Sequence, residues 1–164
     1  MPAEYTEDEI KKAHEILYNE GLKMRSKVAS PEYVEAAVGR AKGTFAEAMQ
    51  QYVTEACWGS VWTRPGLPLK TRSFLNIAIL CNQNRSTELA THIKGALTNG
   101  ATEEEICEVI LHTSSYCGMP SGIEGFRVAQ KTIEEWKTQR QQQSHASSEH
   151  LDVDVAERVK PEQV

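Results

Sequence analysis

Apolar positions recur every three to four residues along most of the first 140 positions, and no segment shows the strict alternation of a half-buried strand. The pattern predicts an all-α chain. Thr6-Glu7-Asp8-Glu9 has the form of a capping box, with the Thr6 hydroxyl serving the first turn and Glu9 reaching back. The helix it opens carries Ile10, Leu17, Met24 and Val28. Ser30-Pro31 starts a second, short helix, since proline is tolerated at the first helical position. Gly43-Thr44 breaks the chain, Thr44 with Glu47 repeats the capping box, and Phe45, Met49, Tyr52, Val53 and Ala56 follow at helical spacing.

The segment SVWTRPGLPLKT contains Pro65, Gly66 and Pro68 and reads as a turn-rich loop. SFLNIAILC continues as a helix that is apolar on most faces, which predicts a central position. STELATHIKGALTNG, Ser86 to Gly100, is amphipathic and ends on Asn99-Gly100 as a left-handed C-cap. Thr102 with Glu105 is a third capping box and opens a helix bearing Ile106, Val109 and Ile110. Gly118-Met119-Pro120 interrupts the chain before a last helix, from about Ser121 to the glutamines near 142. From Gln141 onward the apolar residues are too scattered for a core face. The expected organisation is one helical domain, residues 1–140, followed by a disordered polar tail, 141–164.

Composition narrows the class of partner. The chain has 164 residues, enough for one domain with a real core, and is 40% apolar and 25% charged. A net charge of −5 without a basic tract argues against nucleic acid or an anionic membrane as partner. No run of eighteen apolar residues predicts a membrane span, and MPAEYTEDEI lacks the apolar core of a secretory signal. Cys57, Cys81, Cys107 and Cys117 form no C-x-x-C pair and suit neither a zinc site nor a disulfide scaffold. They read as buried free thiols of a cytoplasmic protein.

Three segments hold residues capable of chemistry. In the first, helical spacing puts Glu88, His92, Gly95 and Asn99 in one narrow sector beside the apolar sector of Leu89, Ile93, Ala96 and Leu97. A carboxylate next to an imidazole raises its pKa and orients the ring for proton transfer, though the same spacing also describes an ordinary surface pair. Gly95 leaves space for a ligand or another backbone. No H-x-x-x-H or H-E-x-x-H occurs, so no metal site is expected. The second segment holds Arg64 and Arg72 at either end of the proline-rich loop, with Arg85 before the next helix. Converging arginines near a helix N-terminus make an anion site, while separate ones are ordinary solvated charges. Trp58 and Trp62 flank the loop, as pocket walls or as anchors to the core. In the third segment, SSYCGMPSG, Tyr116 and Cys117 are expected at the junction, with the Tyr116 hydroxyl placed to donate to a ligand or to backbone.

Together, WGSVWTRPGLPLKTRS, ELATHIKGALTNGATEEEICEVI and YCGMPSG, in that order, resemble the γ-carboxymuconolactone decarboxylases, with the likeness running from about Met24 to Trp136. The resemblance implies an all-α, AhpD-like helical fold and a homo-oligomer, a trimer or hexamer. Thiol enzymes of that superfamily resemble C-x-x-C-x-x-x-H. Here Arg85 and Glu88 stand in the cysteine slots before His92, which disfavours peroxide or disulfide chemistry.

The implied activity is decarboxylation of a small anionic lactone, 4-carboxymuconolactone, to 3-oxoadipate enol-lactone in protocatechuate breakdown. No cofactor is expected, because the lactone carbonyl, reached through a C=C bond, accepts the electrons released with CO2. On this reading His92 donates the proton and Glu88 orients and charges it. Arg64, Arg72 and Arg85 hold the acetate side chain and the oxyanion, and Trp58, Trp62 and Tyr116 complete the pocket. The alternatives are a decarboxylase or related lyase or isomerase acting on another carboxylated lactone or polyketide-derived acid, and a non-catalytic binding or assembly protein on the same fold.

Overall fold

The computed structural model describes residues 4–158, with side chains through residue 143, and all of its regular elements are helical. They are α1 (Glu7–Ala29), α2 (Pro31–Ala41), α3 (Glu47–Tyr52), α4 (Leu69–Asn82), α5 (Ser86–Thr98), α6 (Glu103–Cys117) and α7 (Met119–Arg158). Helix α3 runs on without a break as a π-helical segment, Val53–Val61, closed by the Trp62 N–H donating to the Cys57 carbonyl five residues back. Among the described residues there is no strand, and no helix is long and apolar enough to cross a membrane.

Two apolar clusters organise these helices. The larger one is built by α4 to α7 from Ile77, Cys81, Leu89, Ile93, Ile106, Ile110 and Val128. In the smaller, Val28 of α1 packs with Trp58 and Trp62. The two meet along α5, whose inner face contributes Leu89, Ile93 and Ala96 to the first while Gly95 abuts Val28 of the second. Capping boxes close the N-termini of α1 and α6 as the sequence predicts, each Thr hydroxyl accepting the N3 amide while the N3 glutamate accepts the cap amide. Gly100, at φ +83°, supplies the left-handed turn after α5.

Where α1 crosses the π-helical segment, backbone meets backbone. A Cβ on Gly21 would collide with the Thr54 carbonyl oxygen, and one on Gly59 with the Leu17 carbonyl oxygen. α1 and the π-helical segment therefore cross with glycine on both sides of the seam. The same crossing orders the polar side chains beside it. Arg25, one turn past Gly21, donates to Thr54 Oγ1, and His14 meets Glu55.

Five expectations change. Thr44 and Glu47 make no reciprocal box. The Thr44 hydroxyl donates to the Ala41 carbonyl and accepts from Ala46 N–H, while Glu47 accepts from Gly43 N–H, so the pair shapes the turn and α3 starts later without a side-chain cap. The apolar row Phe45, Met49 and Tyr52 is exposed, because Thr54, Glu55, Trp58 and Gly59 take the inward sector of the continuing helix. α4 is not central. It buries Ser73, Ile77 and Cys81 and leaves Leu75 and Ile79 exposed, since its neighbours α5, α6 and α7 all lie on one side of it. Of the cysteines, all free, only Cys81 is buried and Cys117 is exposed. Where a tail is expected from Gln141, the backbone continues as α7 to Arg158; that stretch has no glycine or proline to stop a helix. Residues 159–164 of the expected tail, and all side chains beyond 143, lie outside the described residues.

The seam makes a stability prediction with an internal control. Gly59→Ala should lower stability by about 1–3 kcal/mol through overpacking. Gly39→Ala, in open space on α2, should raise it by up to about 1 kcal/mol through helix propensity. Urea or thermal unfolding of the two variants checks both signs.

Candidate active site

A cavity of about 290 Å³ opens between α1, the start of α2, α3 with its π-helical continuation, and α5. Arg25, Val28, Met49, Gln50, Val53, Trp58, Glu88 and His92 are among its walls. Gly95 sets its width. A Cβ there would stand 3.0 Å from Val28 Cγ1 and 3.4 Å from the Val28 carbonyl, so the small residue serves a neighbouring helix. Arg25 precedes Val28 by three residues and His92 precedes Gly95 by three, so this close contact brings both side chains to the same cavity.

His92 is held by α4 and by two indoles. Asn76 Nδ2 lies 3.3 Å from His92 Nδ1, and two turns further along α5 Asn99 Nδ2 donates to the buried Ser73 hydroxyl at 3.0 Å. The polar sector of α5 thus zips onto α4 in antiparallel register. Trp58 and Trp62 stack at 4.7 Å between centroids, and the His92 ring lies nearly parallel to Trp58, 6.4 Å away, and 6.3 Å from Trp62. An asparagine NH₂ donating to Nδ1 selects the neutral tautomer that carries its proton on Nε2. Burial acts in the same direction and lowers the His92 pKa from its ordinary 6.5.

This corrects the expected pairing. Among the described residues no hydrogen bond or ion pair joins Glu88 to His92, and Glu88 lies exposed on the cavity rim. The ring is therefore neutral, where the sequence spacing predicts a charged one. The arginines do not converge either. Arg72 donates to the Arg64 carbonyl at 2.9 Å, tying the proline-rich loop to α4, with its Nε enclosed and without a partner. Arg85 follows the far end of α4, roughly 20 Å away at 1.5 Å of rise per residue. None of the three lines the His92 cavity. Trp58 and Trp62 are buried around His92, Trp58 in the cavity wall. Tyr116 is exposed and rests against the His112 ring, outside the buried sector of Ile106, Ile110, Thr113 and Ser114.

Two side chains went unnoticed in the sequence. Arg25 is 6% exposed, yet it pairs with no carboxylate; its Nη1 donates to Gln50 Oε1 at 2.9 Å and to Thr54 Oγ1 at 3.4 Å. The signal was present, since Gly21, Arg25 and Val28 fall at i, i+4 and i+7 and form the buried stripe of α1. The second is His14, whose Nδ1 lies 2.6 Å from Glu55 Oε2 across the seam, with Gln51 donating to Oε1. Burial pushes the Glu55 carboxyl up, but the hydrogen bonds from His14 and Gln51 and the His14 charge outweigh it, and its pKa ends below the usual range. A larger furrow, about 540 Å³, runs past this pair on the other side of Gln50. It lacks the enclosing indoles and the buried unpaired cation, so the smaller cavity is the better candidate for chemistry. No group of three or more His, Cys, Asp or Glu among the described residues is arranged to hold a metal ion.

Comparison with known proteins gives the family. Residues 47–131 match the carboxymuconolactone decarboxylase family, a span that includes Trp58, Asn76, Glu88 and His92. The chain is 45% identical over 133 residues to the nitrosuccinic acid decarboxylase npaB of Metarhizium robertsii, covering 81% of this chain and 90% of that protein. It is 34% identical over 118 residues to the 4-carboxymuconolactone decarboxylase of Acinetobacter baylyi, covering 72% and 87%.

The state of His92 is directly measurable. Because its folded pKa is lowered, the neutral ring contributes stability that is fully present above about 6.5, the unfolded value, and is lost as pH falls through the folded value. Nitrogen-15 NMR should show Nε2 protonated at neutral pH and a titration midpoint below 6.5. Asn76→Asp should move that midpoint upward by placing a carboxylate on Nδ1.

Proposed function

The chain belongs to the carboxymuconolactone decarboxylase family and is a decarboxylase of that family, and we propose that its substrate is a succinate bearing an electron-accepting group on C2. Both named substrates of its relatives share this frame. In nitrosuccinic acid, C2 carries a carboxylate, a nitro group and a CH₂COO⁻ arm. In 4-carboxymuconolactone, the corresponding ring carbon carries a carboxylate, an acetate arm and a C=C bond leading to the lactone carbonyl. We rank nitrosuccinic acid first and 4-carboxymuconolactone second; the greater identity, over 90% of the relative's length, supports that order.

Loss of CO2 leaves an electron pair that moves into the sink, as a nitronate in one case and a dienolate in the other. A new C–H bond then replaces the broken C–CO2 bond, at C2 of the nitronate or, with the double bond shifted, at the carbon α to the lactone carbonyl of the dienolate, and the net reaction is RCOO⁻ + H⁺ → RH + CO2. The observation that carries the proposal is the His92 ring itself, its Nδ1 met by the Asn76 amide and its faces set beside two indoles at the wall of a small cavity; the neutral tautomer with Nε2–H follows from that contact. A preorganised donor in a water-poor site stabilises the charge that develops on the sink oxygens. Neutral imidazole serves here as a hydrogen-bond donor, where an imidazolium would serve as an acid. The proton reaches carbon from water at the exposed Glu88 rim. The departing carboxylate lies against the buried Trp58 indole beside His92, where poor solvation of the anion favours release of neutral CO2.

We also propose a homo-oligomer. Leu75 with Ile79 on α4, and Phe45, Met49 and Tyr52 on and just before α3, are exposed apolar rows that a second copy would cover. Light scattering should give a multiple of the 18.3 kDa chain mass, and Leu75→Lys with Ile79→Lys should lower it.

Turnover of synthetic nitrosuccinate and 4-carboxymuconolactone, followed by CO2 release, tests the reading; activity on neither would overturn it. His92→Phe should reduce kcat by about 10²–10³-fold, and His92→Gln, which keeps one N–H donor, by less. With the better substrate, kcat should stay level between pH 6.5 and 8. A steep fall with rising pH would instead identify an imidazolium acid.

A further inference from the structure

We propose that Arg25 is the anchor for the substrate carboxylate that is retained. The inference rests on the substituted-succinate reading above and adds the residue that selects for a dicarboxylate.

The argument starts from an incomplete hydrogen-bond inventory. A guanidinium has five N–H donors in a planar fork and cannot be neutralised at ordinary pH. Arg25 spends two hydrogen bonds, both from Nη1, on the neutral acceptors Gln50 Oε1 and Thr54 Oγ1. Nε and Nη2 make none among the described residues, and neither is sealed away from accessible space. That leaves one whole edge of the fork, Nε–H beside Nη2–H, the edge that takes a carboxylate through two parallel bonds. The residue is 6% exposed and lines the cavity, so the free edge is available to a ligand while bulk water is largely held off.

Its surroundings prepare the group for an external anion. No carboxylate of the chain pairs with it among the described residues, although a buried charge without a partner is costly. The nearby acid on the same stretch, Glu55, is already engaged by His14 and Gln51 on the far side of Gln50. Gln50 and Thr54 hold the guanidinium in place without neutralising it. Trp58, Val28 and Val53 surround it with apolar wall, which strengthens its field on an incoming anion. Across the cavity stands His92. A succinate frame therefore fits with its CH₂COO⁻ arm on Arg25 and its C2 carbon, sink and departing carboxylate at His92. Arg25 also lies outside residues 47–131, so the anchor and the reacting end sit on separate parts of the chain.

The test separates this site from the decarboxylase reading by using a ligand that cannot react. Succinate, which has no sink on C2, is titrated into the wild-type protein by calorimetry or NMR, with propionate as the monocarboxylate control. Succinate should bind and propionate should bind at least tenfold more weakly. Arg25→Gln should weaken succinate at least tenfold and raise KM for the turned-over substrate by a similar factor. Gln50→Glu gives Arg25 an internal counterion with almost no change of shape, and it should weaken succinate as well; this variant decides the matter if Arg25→Gln fails to fold. Arg25→Lys should recover only part of the affinity, because an ammonium lacks the fork. A wild-type protein that does not bind succinate, or a succinate affinity within twofold of wild type in the folded variants, would overturn the anchor whatever the turnover assays show. Succinate binding lost in Arg25→Gln alongside no turnover of any substrate would leave the anchor standing and remove the decarboxylase substrate reading instead.

Discussion

Everything at the site depends on the crossing of α1 over the π-helical segment, where Gly21 and Gly59 each face a carbonyl oxygen of the other strand of the seam. Helix packing with side chains on both sides keeps axes 8–10 Å apart. Removing the side chain from both brings backbones into contact, and the neighbouring residues inherit that closeness. Arg25 reaches Thr54 and Gln50, His14 reaches Glu55, and Trp58 and Trp62 stack within reach of His92. The π-helical register contributes the other half. A π-stretch places its residues differently from an α-helix of the same sequence, and such stretches concentrate at functional sites. Here it is what presents Thr54, Glu55, Trp58 and Gly59 together on the inward side.

The electrostatics of the cavity are unbalanced in a useful way. Its histidine is neutral because it is buried and met by an amide, while its one buried cation has only neutral acceptors for company. The acid nearest in the helix, Glu88, stays on the rim. A site of this kind attracts anions at one end and offers a hydrogen-bond donor at the other. That division of labour is what a decarboxylation with a built-in electron sink requires, since the protein has only to hold one carboxylate and favour charge on the sink.

The sequence shows these features unevenly. Helix periodicity and the Thr6 and Thr102 capping boxes are local signals, and the structure bears them out. His92 was legible as a candidate only through the family resemblance of the residues before it, since helical spacing alone leaves an ordinary surface pair open. Its charge state was not, because Asn76 lies sixteen residues away on another helix and burial cannot be read from a 3.6-residue period. Arg64, Arg72 and Arg85 looked like a set because they are close in sequence, but a straight helix separates Arg85 from the other two. Arg25 is hidden for the opposite reason: it is far from them in sequence and joins the site through the α1 crossing and the Gly95–Val28 contact. The apolar rows on α3 and α4 read as core and proved exposed, since periodicity reports that a face wants cover without saying which chain supplies it.

The contact of Gly95 with Val28 holds α5 against α1, and with it the spacing of the imidazole and the guanidinium that those two helices carry. Reach and reactivity are thereby encoded at different positions. A change of a methyl group at this contact would resize the chamber along one axis and leave its donors in place. Under the proposed reading, the choice between a slim acyclic substrate and a broader ring would then rest on the spacing of two helices, with the donors unchanged.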